Sequence, residues 1–481
     1  MADHVFNKIA TYRSPAELRA RLQQLEIDLP CDDEIHTADQ GSVLQASQKI
    51  GSFSVGNRWC IHPMEGWDAH GDGTPSEKTL RRWRHFGESG AKLIWGGEAA
   101  AVEPAGRANP NQTMATAEHE AGLQQLLSEL TTAHQQKFGT TEDLLVGLQL
   151  THSGRFCRPN DHQPEPRIAY HHPLLDSKYG IDPDDDSVVW TDDELDGLVD
   201  RYVIAAQTAQ RAGFRFVDVK CCHGYLLHEF LSARVRSGPY GGDYQGRTRL
   251  LKTIIGRIQR ACPDLLILVR LSFFDTVPFQ PGPEAGVPVN YKSCLPYDSG
   301  FGCDREDPLQ LDLTEPIQLA TELQQMGVAA LNLSCGSPYY NPHLQRPAAF
   351  PPSDGYPPPH DPLLDVARQI HAVRDCRSAV PGIPLVGTGY SYLQDYLPHI
   401  AQAVVRAGWV DFVGLGRMVL SYWNLPADSL RDGVLQRKQI CRTFSDCTTA
   451  PRNSLASGCY PLDPYYKQQP EAGTLRERKK K

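Results

Sequence analysis

The stretch VDVKCCHGYLLHEFLS, residues 217–232, starts as an apolar strand and then presents Lys220, His223 and Tyr225 in quick succession. An ammonium, an imidazole and a phenol can together hold an oxygen on which negative charge grows and supply a proton beside it. Lys220 and His223 are three apart, so in an unbroken strand they would face opposite sides. Both reach one ligand only if the strand ends near Cys221 and the chain turns, and Gly224 is compatible with such a turn. The competing reading is a strand that simply ends, with Lys220 turned away or paired with Glu65. Arg270, in LLILVRL, is the second chemical signal. A guanidinium among aliphatic residues inside a strand needs a fixed anion or hydrogen-bonding partner. That partner is either an internal carboxylate, Asp218 or Glu98, or a ligand ring whose negative charge it stabilises. Two glycine-rich turns, GTGYS (387–391) and GLGR (414–417), each join a strand end to a helix start. Gly389, Tyr390 and Gly416 there, with Arg417 as an extra donor, suit a phosphate near a helix N-terminus.

These residues must be positioned by a repeating unit. Short apolar runs bounded by turns occur at 58–62, 92–96, 144–150, 216–221, 265–271, 328–334, 383–387 and 410–414, with helical spacing between them. Thr74-Pro75-Ser76-Glu77 and Thr191-Asp192-Asp193-Glu194 read as capping boxes, and Gly90, Gly213, Gly327 and Gly408 as helix stops. Eight both-face-apolar strands alternating with helices predict an α/β fold, a (β/α)8 TIM barrel with long loops at the carboxyl ends of its strands. An open doubly wound sheet is the alternative. No strand is followed by a G-x-G-x-x-G turn, which counts against it.

Long segments follow the third strand (155–190), the fifth (273–311) and the sixth (335–362). All leave the face on which barrel enzymes build active sites, so they are candidate walls and lids. Polar residues gather at the same face: Glu65, Glu98, Gln149, His152, Lys220, His223, Tyr225 and Arg270. The expected organisation is an N-terminal leader with one helix capped at Ser14 (1–50), a barrel (51–440), and a cysteine-containing segment ending in a solvated basic tail, LRERKKK (441–481).

The 481 residues are 40% hydrophobic with a formal net charge of −9, which argues for a soluble protein and against nucleic acid as a partner. No long apolar run or export signal is present, so the reading is cytoplasmic, without membrane contact, and with reduced thiols among the thirteen cysteines. Homo-oligomerisation is left open.

The motifs HPM, GGEAAAVEPAGR, QLTHSGR, HGYLLHEFLS, RSGPYGG, GRTR, VRLS and DFVGLGR occur in order between about 51 and 440. In this series the chain resembles the old yellow enzyme family of FMN-dependent NADH:flavin oxidoreductases, including its 2,4-dienoyl-CoA reductase branch. The resemblance implies FMN, with Pro63, Met64, Ala99 and Gln149 lining the flavin and Arg270 against its N1–C2 edge. It also implies phosphate at Gly389, Gly416 and Arg417, and Tyr225 as proton donor. The implied reaction is NADH- or NADPH-driven reduction of an electron-poor C=C bond of a small-molecule substrate, with hydride delivered from flavin N5. Two departures stand out: Lys220-x-x-His223 replaces the family's His-x-x-His or His-x-x-Asn pair, and Glu65, a further flavin-contacting position, stands where a Thr or Cys that tunes the flavin is usual. An amine or ring dehydrogenase of the trimethylamine dehydrogenase type, or a non-catalytic flavin-binding protein, are the alternatives. The branch's iron–sulfur motif matches only Cys447 and Cys459, with Cys441 out of register and Phe444 and Pro451 at the other ligand positions. No cluster and no other metal is therefore expected.

Overall fold

The computed structural model describes residues 6–479. Eight parallel strands close into a barrel: β1 Trp59–Ile61, β2 Leu93–Ile94, β3 Leu145–Thr151, β4 Phe216–Cys221, β5 Leu266–Phe274, β6 Leu331–Cys335, β7 Leu385–Gly387 and β8 Phe412–Leu415. Each pairs with the next, and β8 returns to β1 through Val413↔Trp59 and Gly414↔Cys60. A helix follows each strand: Glu77–Glu88, Glu120–Phe138, Asp192–Arg211, Tyr244–Ala261, Thr314–Gln325, Pro362–Ala379, Leu397–Arg406 and Leu425–Arg431. This is the (β/α)8 barrel expected from the sequence.

Local chemistry explains the boundaries. Thr191 accepts from the Glu194 N–H while the Glu194 carboxylate accepts from the Thr191 N–H, the reciprocal cap that starts the third outer helix. At the first outer helix the cap is Ser76 with Thr79, two residues beyond the expected Thr74, which instead bonds Asp72. β6 starts at Leu331, later than the expected 328, and β5 runs on to Phe274.

Strand periodicity sorts the barrel interior by depth. Toward the amino-terminal ends, Cys60, Leu93, Leu145, Phe216 and Leu268 meet Trp95 in an apolar plug. A hairpin, Gln48–Ile50 with Phe53–Val55, closes that end by adding Ile50 and Val55 to the plug. A Cβ on Gly147 would lie 2.2 Å from the Phe216 ring, so only glycine fits there. Further along β3 to β6 the inward positions turn polar. Gln149 pairs in register with Asp218, and Lys220 with Arg270, which is in turn opposite Asn332.

The three inserts interlock above this polar layer. Leu174, Val277, Phe279, Tyr297, Cys303 and Tyr356 form one apolar cluster drawn from all three. Buried Arg155, just past β3, bonds Asp176 and Glu229, and the second Glu229 oxygen accepts from the Ala169 N–H at 3.0 Å. Residues 446–478 form three short helices with a cluster of their own around Tyr460, Tyr466 and Leu475. Arg81–Asp463 and Lys78–Glu471 tie that segment to the first outer helix. The expected solvated tail is helical as far as Arg478, with Leu475 buried; Lys480 and Lys481 lie outside the described residues.

Removing one member of a buried ionic network strands its partners without solvation. Arg155→Met is expected to cost about 3 kcal/mol or more, read from the denaturant midpoint at unchanged slope. A loss below about 1 kcal/mol would show that Asp176 and Glu229 find other partners.

Candidate active site

The carboxyl ends of the strands open into a cleft with about 1190 Å³ of open space. Pro63, Met64, Glu65, Ala99, Gln149, Lys220, His223, Tyr225, Arg270, Gly389, Gly416 and Arg417 all line it. Tyr390 does not: its buried ring packs so that a Cβ on Gly387 would lie 2.8 Å from the phenol oxygen. Glu98 sits behind the cleft, bonded to Arg82, and His152 lies 3.0 Å from Glu103.

β4 ends at Cys221, and the chain turns through His223 (φ +65°) and Gly224 (φ +78°) before the helix Leu226–Leu231. That turn brings Lys220, His223 and Tyr225 to one cavity wall. Lys220 is not free there. Its ammonium is paired with Glu65 Oε1 and stands 3.5 Å from the centroid of the Tyr225 ring. The Tyr225 hydroxyl donates to Glu65 Oε2 at 2.7 Å and lies 3.0 Å from the Tyr339 hydroxyl. Burial first, and the Glu65 charge second, push the Tyr225 phenol well above its ordinary range, so it stays protonated. His223 lies 2.6 Å from Ser334 Oγ and 3.3 Å from Gln345 Nε2. Burial, then Arg270 and Lys220, hold this imidazole well below its usual range and therefore neutral.

Arg270 is buried, and among the described residues its guanidinium has no ion-pair partner and its Nε no hydrogen-bond partner. The two carboxylates that could neutralise it are engaged elsewhere. Asp218 accepts from Gln149 Nε2 and from the backbone N–H of Arg270, both at 2.6 Å, while Glu98 belongs to Arg82. Burial raises the Asp218 carboxyl to about 6 against those hydrogen bonds. Toward the turn after β8 Arg417 gives Nη2 to the Pro347 carbonyl at 2.7 Å, and its enclosed Nη1 has no partner among the described residues. Gly389 takes φ +92°, and a Cβ on Gly416 would meet only open space. A cation at each end of an elongated cleft suits a ligand with a negatively polarised ring and a phosphate.

Sequence reasoning missed several wall residues. Trp67, Tyr339 and Arg346 come from loops, Gln345 ends the short helix Pro342–Gln345, and Thr448 and Arg452 come from the C-terminal segment. Tyr339 sits in the proline-dense insert, stacked on Phe156 at 3.9 Å, with nothing in its neighbourhood to mark it. Only Arg346, a cation amid Pro-rich sequence, carried a signal that could have been read.

Residues 46–282 match the NADH:flavin oxidoreductase / NADH oxidase family model. An NADH:flavin oxidoreductase of Gibberella zeae is 26% identical over 337 residues, covering 66% of this chain and 69% of that protein. An NADH oxidase of Thermoanaerobacter brockii is 23% identical over 398 residues, covering 82% of this chain and 52% of that protein. The chain thus spans about two thirds of the first relative and about half of the second. Morphinone reductase in complex with tetrahydroNAD shares the fold, with a TM-score of 0.55, 20% identity, and coverage of 82% of this chain and 92% of that one. The unpartnered nitrogens of Arg270 and Arg417 and the open space at Gly416 fit FMN. Residues 46–282, which carry β1 to β5 with Glu65, Gln149, Lys220, Tyr225 and Arg270, are thus similar to the NADH:flavin oxidoreductase / NADH oxidase family.

Proposed function

We propose that the protein uses NADH or NADPH to reduce a small molecule bearing an electron-poor C=C bond conjugated to a carbonyl. The observation that carries this reading is one cavity holding both an uncompensated guanidinium, Arg270, and a phenol fixed by Glu65, that of Tyr225. FMN, when bound, supplies reversible two-electron exchange with a nicotinamide and then with the second substrate. Pro63, Met64, Ala99 and Gln149 would line its ring, Arg270 would meet the ring's negative charge, and Gly389, Gly416 and Arg417 would take the phosphate. Tyr390 would contribute only its backbone, since its ring is turned away.

The remaining roles belong to the chain's own side chains. Neutral His223, with Ser334 and Gln345 beside it, offers a hydrogen bond to the substrate's carbonyl oxygen and draws off negative charge developing there. Tyr225 Oη gives its proton to the α-carbon. Lys220 acts as a positioning residue: with its charge matched by Glu65, the pair anchors the phenol at its oxygen and beneath its ring. Phe156 and Tyr339 keep that side of the cleft apolar and limit water.

The amine reading needs a carboxylate free to meet a cation. Glu65, the carboxylate in the cavity wall, is matched by Lys220, so an uncharged acceptor is favoured.

Anaerobic NADH or NADPH should bleach the FMN-loaded protein, and an α,β-unsaturated ketone should restore its colour while alkylamines do not. Re-oxidation by nothing in a panel of enones would remove the alkene reading, and no bleaching by either nucleotide would leave only flavin binding. Tyr225→Phe should slow the alkene step by about 10²-fold or more and leave nucleotide oxidation nearly intact. Equal losses in both half-reactions would make Tyr225 structural.

The phenol's raised pKa fixes the sign of its pH dependence: the donor form is lost only above the ordinary phenol range. The alkene step should therefore show no Tyr225-dependent fall up to about pH 10. A fall centred below that value and absent in Tyr225→Phe would contradict the hydrogen bond to Glu65.

A further inference from the structure

Beyond the positions already assigned to FMN, a group of cations converges on the cleft from the insert after β6, the turn after β8 and the C-terminal segment. Arg346 follows the short helix Pro342–Gln345 in the insert after β6, Arg417 follows β8, and Arg452 ends the helix Asp446–Arg452 of the C-terminal segment. Arg452 is engaged, by Asp354 and the Pro338 carbonyl. The other two are only half engaged. Arg346 gives Nη1 to Thr448 Oγ1 and Arg417 gives Nη2 to Pro347; among the described residues the enclosed Nη2 of Arg346 and Nη1 of Arg417 have no partner. Enclosed guanidinium nitrogens without acceptors are costly, and neighbouring like charges compound the cost. Burial, followed by the charges of Arg452 and Arg417, lowers the Arg346 pKa to about 9. Asp354, the carboxylate beside the group, pairs with Arg452, which leaves two positive charges unmatched. A phosphate monoester carries close to two negative charges at neutral pH and presents three acceptor oxygens.

We propose that Arg346 is a second guanidinium on the phosphate of the bound flavin nucleotide, held in place by Thr448, so that the C-terminal segment forms part of the cofactor site. This rests on the FMN reading above and adds to it a residue from an insert and another from outside the barrel. The 2′-phosphate of NADPH shares the same chemistry, and the test separates the two.

The test titrates full-length apoprotein with FMN and with riboflavin, following flavin fluorescence. Arg346→Met should weaken FMN at least 10-fold and leave riboflavin affinity at the wild-type value, and Arg346→Lys should recover part of the loss. Thr448→Val, which keeps the fold if Arg346→Met does not, should weaken FMN several-fold and riboflavin not at all. Inorganic phosphate should raise the Tm of wild-type apoprotein and not that of Arg346→Met. Unchanged FMN affinity in both variants overturns the proposal and leaves the FMN reading standing. Parallel losses for FMN and riboflavin with a lowered Tm make Arg346 structural. A raised KM for NADPH but not NADH, with FMN affinity unchanged, assigns the cations to the nicotinamide nucleotide instead. Wild-type protein that binds neither flavin overturns this proposal together with the reading on which it rests.

Discussion

A guanidinium enclosed inside a closed barrel without a counter-ion is the constraint on which the upper half of this molecule depends. Arg270 cannot turn away, because β5 is hydrogen-bonded on both sides and strand periodicity fixes its inward direction. Asp218, one strand away, makes no ion pair with it among the described residues: its oxygens accept from Gln149 and from the Arg270 backbone. The guanidinium is largely buried where it lines the cleft, so its field is less screened than that of a surface charge. Among the described residues no carboxylate is ion-paired with the guanidinium. The apolar plug below, sealed by the N-terminal hairpin, supplies the rigidity that keeps the cation there.

The Lys220–Glu65 pair behaves differently because it is matched. A buried ion pair is weak evidence for stability, and its clearer use is to specify one arrangement. Here it fixes the Tyr225 hydroxyl at 2.7 Å from Glu65 and places an ammonium against the phenol ring. The cleft thus combines a wall that is polar but charge-balanced at Glu65 and Lys220 with one where Arg346 and Arg417 present unmatched charge. This asymmetry gives the cleft a direction.

The barrel was legible because its signals are local. Both-face-apolar runs, the cap at Thr191 and the stops at Gly90 and Gly213 are each decided within a few residues. The errors at strand and helix ends, such as β6 and the Ser76 cap, arose where the pattern is shared by strand and loop. Arg270 could be singled out because a charge inside an aliphatic run is anomalous wherever the strand goes. The unpaired state of Arg270 could not be read, because it depends on where Gln149 aims its amide 121 positions earlier in the chain. For Lys220, the sequence offered both a free ammonium and a pair with Glu65, and only the three-dimensional turn after Cys221 decides between them. Tyr339, Arg346 and Thr448 lie in segments without periodicity, where no rule of spacing connects a residue to the site.

The midpoint potential of bound FMN, compared between the wild-type protein and Arg270→Leu, tests the central claim most directly. Reduction adds negative charge to the ring, so a cation beside it should favour the reduced form. The account predicts a potential lower in the variant by on the order of 30 mV or more, since 30 mV corresponds to about 1.4 kcal/mol for a two-electron couple. An unchanged potential, with FMN still bound, would mean that the Arg270 charge does not act on the cofactor and would contradict the account.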